Sequence, residues 1–204
     1  MNASESLQHL PREFAQACDA LRAATLRSEI TITEIPPPAR LAPYSVAMSA
    51  EVVAPNDFAA ASGEDIDELA TGRLVVLYDP SAPPEWGGKF RVVSYVRAEL
   101  EHELGQDGLI GSVAWSWLQE ALAAHGALYR AEGGTVTRVL SESFGSLSTR
   151  PATVDLELRS SWTPHDASSA DIGAHLKAWA QLLCTVAGLP PLPDGVSALP
   201  GRRR

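Results

Sequence analysis

The sequence predicts an α+β protein. It reads as one domain over residues 1–204, an antiparallel sheet of five or six strands with helices packed mainly on one face. Three observations predict this. Several runs place apolar residues at every second position, and they follow one another in the chain. In VDLELRSSWTP, Val154, Leu156 and Leu158 alternate with Asp155, Glu157 and Arg159, the pattern of a sheet with one buried and one wet face. The helical segments sit between runs of strands, whereas a parallel α/β sheet alternates them strictly.

In order, PREFAQACDALRAATLR opens with Pro11, which suits a first helical turn. Phe14, Ala17, Cys18, Leu21 and Ala24 give this helix one apolar face. Ile30, Ile32 and Ile35 in EITITEI point to a short strand, ended by the stiff run Pro36, Pro37, Pro38. YSVAMSAEVV has strand spacing at Tyr44, Val46, Met48, Ala50 and Val52. PNDFAAASGEDIDELATG reads as a loop with one helical turn over 65–70, stopped by Gly72. RLVVLYDP is apolar almost throughout, as in a strand buried on both faces. The turn SAPPEWGG is short, so FRVVSYVRAEL should pair with it antiparallel.

Residues 109–130 read as one long helix with Ile110, Val113, Ala114, Trp117, Ala121 and Leu128 as its core stripe. Gly133 and Gly134 break the chain before the strands TVTRVLSESFG and VDLELRSSWTP. The last helix starts near SSAD with Ser168 as cap, carries Ile172, Leu176, Trp179, Leu183 and Val186, and stops at Gly188 before LPPLP. Residues 1–9 and 196–204 read as flexible ends.

Composition narrows the function. A chain of 204 residues buries roughly 70% of its unfolded surface, so it needs neither disulfide nor metal to fold. The net charge is −9 even though Arg202, Arg203 and Arg204 add three positive charges at the end. So acidic a body repels phosphate backbones, which makes nucleic acid an unlikely partner. Cys18 and Cys184 have no metal spacing and read as buried free thiols. MNASESLQHLPREF lacks the features of a signal peptide, and no apolar run is long enough to span a membrane. The expectation is a soluble cytoplasmic protein.

Little chemistry is visible. The densest cluster is Glu99, Glu101, His102 and Glu103, where three carboxylates repel one another unless solvated or holding a cation. On a helix, Glu99 and His102 would lie one turn apart, but no second Glu-x-x-His exists to complete a carboxylate metal site. A wet strand end explains the cluster without a ligand. His165 beside Asp166 is a candidate polarised imidazole. His125 and His175 read as surface or boundary residues of helices. GGTVTRVLSESFG is no phosphate cradle, because its glycines precede a strand. Trp115 and Trp117 cannot both face the core of one helix, and Trp86 sits in a loop. Trp86 and Trp115 are therefore the candidate contacts to a protein partner. No metal and no cofactor is expected.

RLAPYSVAMSAEV, DELATGRLVVLYDP, FRVVSYVRAELE, WSWLQEAL, GGTVTRVLSESFG, LRSSWTP and LLCTVAGLPPLPDGVSALPGRR together resemble an uncharacterised actinobacterial family classed as a domain of unknown function. The resemblance covers nearly the whole chain, and it implies no activity and no catalytic residues. The expected function is a non-catalytic cytoplasmic protein-interaction or binding domain. The rival is a small-molecule or metal-assisted hydrolase using Glu99, Glu101, His102 and Glu103.

Overall fold

The computed structural model describes residues 10–53, 68–100, 107–165 and 172–189. Along these the chain forms α1 (Arg12–Ala23), β1 (Ile30–Ile35), β2 (Tyr44–Val53), β3 (Glu68–Tyr78) and β4 (Phe90–Leu100). It continues through α2 (Ile110–Ala124), β5 (Tyr129–Ser141), β6 (Thr153–Pro164) and α3 (Ile172–Val186). The strands make one antiparallel sheet in the order β1-β2-β3-β4-β6-β5. This is the α+β class expected, with six strands and the three helices on one face.

The covered face carries the even positions of β2, β3, β4 and β6, from Val46 through Leu74 and Val92 to Leu158 and Trp162. Helix α3 lies against them and is buried on 11 of its 15 residues. A helix apolar all round belongs inside, and here α1 and α2 flank it. Phe14 of α1 packs against Tyr44 and Tyr78 with ring centroids 5.8 and 5.9 Å away, and Tyr78 meets Phe90 at 4.7 Å. The Tyr78 hydroxyl donates to Glu13 at 2.8 Å, and Lys89 Nζ donates to the same carboxylate at 2.9 Å. Burial and that anionic neighbour push the Tyr78 pKa up to about 12. The two cysteines are buried and free, and desolvation raises the pKa of both thiols.

Several expectations change. The segment 68–72 is strand rather than helical turn, because Glu68 and Ala70 to Gly72 pair with β2, across a slip at Leu69, and from Ala70 on with β4. Gly72 is not a helix stop. A Cβ there would lie 2.7 Å from Trp179 Cζ2 and 2.9 Å from the Tyr95 carbonyl oxygen, so glycine lets α3 approach the sheet. The helix expected over 109–130 ends at Ala124 and turns through Gly126 at φ +60°. Its buried stripe is Ile110, Ala114, Leu118, Ala121 and Leu122, while Val113 and Leu128 are exposed. Gly133 and Gly134 lie within β5, since that strand begins at Tyr129. His175 is buried and accepts a hydrogen bond on Nδ1 from Trp162 Nε1 at 3.1 Å. His125 is the boundary residue expected, its Nε2 2.7 Å from Gln181 Oε1.

Candidate functional site

The other face of the sheet has no helix on it among the described residues, and register alone orders it. One row across the strands is Ile35, Ala47, Val75, Val93, Ser161 and Gly133. The next is Thr33, Ser49, Arg73, Tyr95, Arg159 and Thr135. The third is Thr31, Glu51, Thr71, Arg97, Glu157 and Thr137. Beyond it, Glu99 faces Asp155 and Asp155 faces Val139. The surface thus runs from apolar, through an Arg–Tyr–Arg row, to acidic. This ordering follows from the two-residue period of each strand and the absence of slips in the central ladders.

The apolar end is closed by the chain itself. Ala47, Val75 and Leu77 form a small second core under Trp86, Ile35 and Ala42. Trp86 is half-buried, and its carbonyl accepts from Thr163 Oγ1. Arg91 binds the same corner together, donating to Thr163 Oγ1, Ser161 Oγ and the Ala131 carbonyl. Burial lowers the Arg91 pKa. Ala131 sits at φ +51°, where the β5–β6 register slips between Arg130 and Gly133.

In the central rows Arg97 Nη2 pairs with Asp155 at 3.1 Å and Arg159 Nη2 with Glu157 at 2.6 Å. The Asp155 hydrogen bond raises the Arg97 pKa. The Arg159 guanidinium also lies 5.4 Å from the centre of the Tyr95 ring. Burial, then a hydrogen bond to Glu157, raise the Tyr95 pKa.

Of the residues singled out from sequence, Glu99 is exposed on this face, opposite Asp155. Glu101, His102 and Glu103 lie outside the described residues, as do Asp166 and the Arg202–Arg204 tail. Among the described residues no three His, Cys, Asp or Glu side chains come together as metal ligands. His165 is exposed just past the end of β6, and its backbone N–H donates to the Leu128 carbonyl at 2.8 Å. Trp115 is half-buried over Gly134, where a Cβ would meet its Cζ3 at 2.7 Å. Trp117, also half-buried, flanks the same core. Both proposed contact tryptophans, Trp86 and Trp115, therefore spend much of their surface inside the protein.

The residues that sequence reading missed are Arg73, Tyr95 and Arg159 on the open face, and Val139, Leu140, Phe144 and Leu147 at the β5 side. The last four are exposed apolar side chains, with Phe144 76% exposed. No helix among the described residues is long and apolar enough to cross a membrane.

Fold and surface together define a single-domain α+β protein with an antiparallel sheet of six strands and three helices, which among the described residues pack on one side of it. A family model described as a protein of unknown function (DUF3000) matches residues 10–197, and the chain belongs to that family. No curated protein and no solved structure matches it.

Proposed function

We propose that this protein is a non-catalytic, cytoplasmic interaction domain that takes up an extended segment of a partner protein along β5. One observation carries the reading: the two sheet edges are built differently. At one edge β1 has six residues, runs into three prolines, and is flanked by an Arg22–Glu34 ion pair at 3.1 Å. Prolines and charges are the usual means of keeping an edge from pairing. At the other edge β5 has thirteen residues and no proline; Arg130, Glu132 and the register slip lie at its start, which leaves Gly133 to Ser141 in regular register with Arg138 as the one charge. Among the described residues no strand pairs with its outer side. Exposed Val139 and Leu140 on the strand, and Phe144 and Leu147 just after it, offer apolar contact beside the free backbone groups. Strand addition uses this combination, with main-chain bonds for affinity and alternate side chains for selection.

Charge selects the occupant. The chain carries −9, so a second copy would bring like charge to the edge. A neutral or basic segment fits better. No observation favours the hydrolase reading, which rests on Glu99 and on residues outside the described ones.

The test is isolation of complexes from host lysate with the wild-type chain and with Leu140→Asp/Phe144→Asp. Both sites are exposed, so this variant should fold. Support is a stoichiometric partner, lost in the variant, that protects the amides of residues 134–141 from hydrogen exchange. A partner retained by the variant, or protection elsewhere, overturns the reading. A concentration-dependent dimer protecting those amides overturns the choice of occupant.

A further inference from the structure

The open face holds a second surface, separate from the β5 edge. We infer that the Arg73–Tyr95–Arg159 row is a binding site for a small amphipathic carboxylate, its anionic group on Arg73 and its apolar body chiefly on Val93.

Shape is the first observation. A shallow, largely open depression of 370 Å³ is lined by Arg73, Val75, Val93, Tyr95, Thr135 and Arg159, among others. A second cavity of 580 Å³ adjoins it, shares Arg73 and Tyr95, and adds Ser49, Glu51, Thr71 and Arg97. Each falls within the range of roughly 300–1,000 Å³ typical of small-molecule sites. Gly133 keeps the β5 side open, since nothing lies within 4 Å of where its Cβ would be.

Charge is the second. Arg97 and Arg159 are each held by a carboxylate, Asp155 and Glu157. Arg73 is exposed and makes no ion pair with the described residues. Its strand neighbours in register are a serine, Ser49, and an aromatic ring, Tyr95. In a chain so rich in carboxylates, a guanidinium placed between two neutral groups is set to receive an anion from outside. Guanidinium binds carboxylate through two parallel hydrogen bonds. One uncommitted arginine suits a single charge, and Glu51 at the far rim disfavours a polyanion.

The third is the apolar step beside it. Val75 and Val93 are neighbours in register one row away, and Val93 is partly open to solvent. A ligand lying along β3 and β4 would place its charge on Arg73 and its hydrocarbon chiefly on Val93, with buried Val75 forming the edge of the step. Trp86 and its cluster wall off the end beyond them.

Sodium benzoate is the probe, with benzylamine and benzyl alcohol as cationic and neutral counterparts, titrated into the full chain and followed by amide NMR shifts. Benzoate should shift the amides of Arg73, Val93, Tyr95 and Thr135 saturably in the millimolar range, and the counterparts should not. Arg73→Gln is surface-exposed and should fold; it should weaken binding about tenfold. Val93→Glu should do so by a separate route, through repulsion. Three results overturn the inference: no saturable shift at millimolar benzoate, equal shifts with benzylamine, or unchanged affinity in both variants. A single-stranded oligonucleotide moving the same amides where benzoate does not would also overturn it, in favour of a nucleic-acid surface.

Discussion

Gly133 and Gly134 are neighbours in β5, yet the structure predicts opposite responses to the same methyl group. At Gly134 an added Cβ would lie 2.3 Å from the Arg159 carbonyl oxygen, 2.7 Å from Trp115 Cζ3 and 3.0 Å from Ser160 Cα. Two of those atoms are backbone of the paired strand and cannot rotate away. Overpacking of this kind costs about 1–3 kcal/mol, and a backbone clash belongs at the upper end. Replacing glycine recovers about 0.4–1 kcal/mol by restricting the unfolded chain. Gly134→Ala should therefore lose roughly 2 kcal/mol, a fall of about 4–8 °C in Tm for a chain of this size. At Gly133 nothing lies within 4 Å and φ is not positive, so Gly133→Ala should gain the entropic term alone. Urea unfolding followed by tryptophan fluorescence, with thermal scans alongside, measures both. If Gly134→Ala proved as stable as Gly133→Ala, the close packing of Trp115 against β5 would be wrong.

Two further predictions concern polar pairs that are partly or fully buried. Arg27 and Glu29 pair with side chains only 20% and 11% exposed, and the Arg27 hydrogen bond holds the Glu29 carboxyl below its ordinary pKa. A depressed carboxyl stabilises the fold above its unfolded pKa of about 4.5 and loses that contribution as pH falls through the folded value. Glu29→Gln should cost about 1–3 kcal/mol at neutral pH and flatten the acid limb of Tm against pH; parallel curves for both proteins would refute this. His175→Phe removes the acceptor of the Trp162 indole N–H inside the core and should cost about 1–3 kcal/mol. In a cycle with Trp162→Phe, the double variant should lose less than the sum of the singles, and strict additivity would show that the hydrogen bond contributes nothing.

What was legible in the sequence is what depends on period. The alternation of Val154 to Arg159 announced both faces of β6, and the unbroken apolar run of Leu74 to Tyr78 announced a strand buried on both sides. The stripe of α1 was equally plain at Phe14, Ala17, Cys18 and Leu21. Where the reading failed, tertiary context overrode local preference. Glu68 and Ala70 are poor strand formers, and pairing with neighbouring strands holds them extended. His175 looked like a boundary residue because a stripe of apolar letters does not show that α3 is enclosed on every side. The open face was hidden for a different reason. Arg73, Tyr95 and Arg159 are far apart in the chain and become neighbours only once the register of β3, β4 and β6 is known.

The contrast between the edges bears on assembly. A sheet that can accept a strand at both ends can add copies without limit and grow into a fibre. Here β1 is cut to six residues by Pro36, so among the described residues β5 offers the longer edge for growth. Two molecules that met β5 to β5 would form a two-fold pair, with each short β1 left facing outward. Like charge already disfavours that pair, and the three prolines after β1 set a second limit, so that self-association at β5 would end at two copies rather than grow.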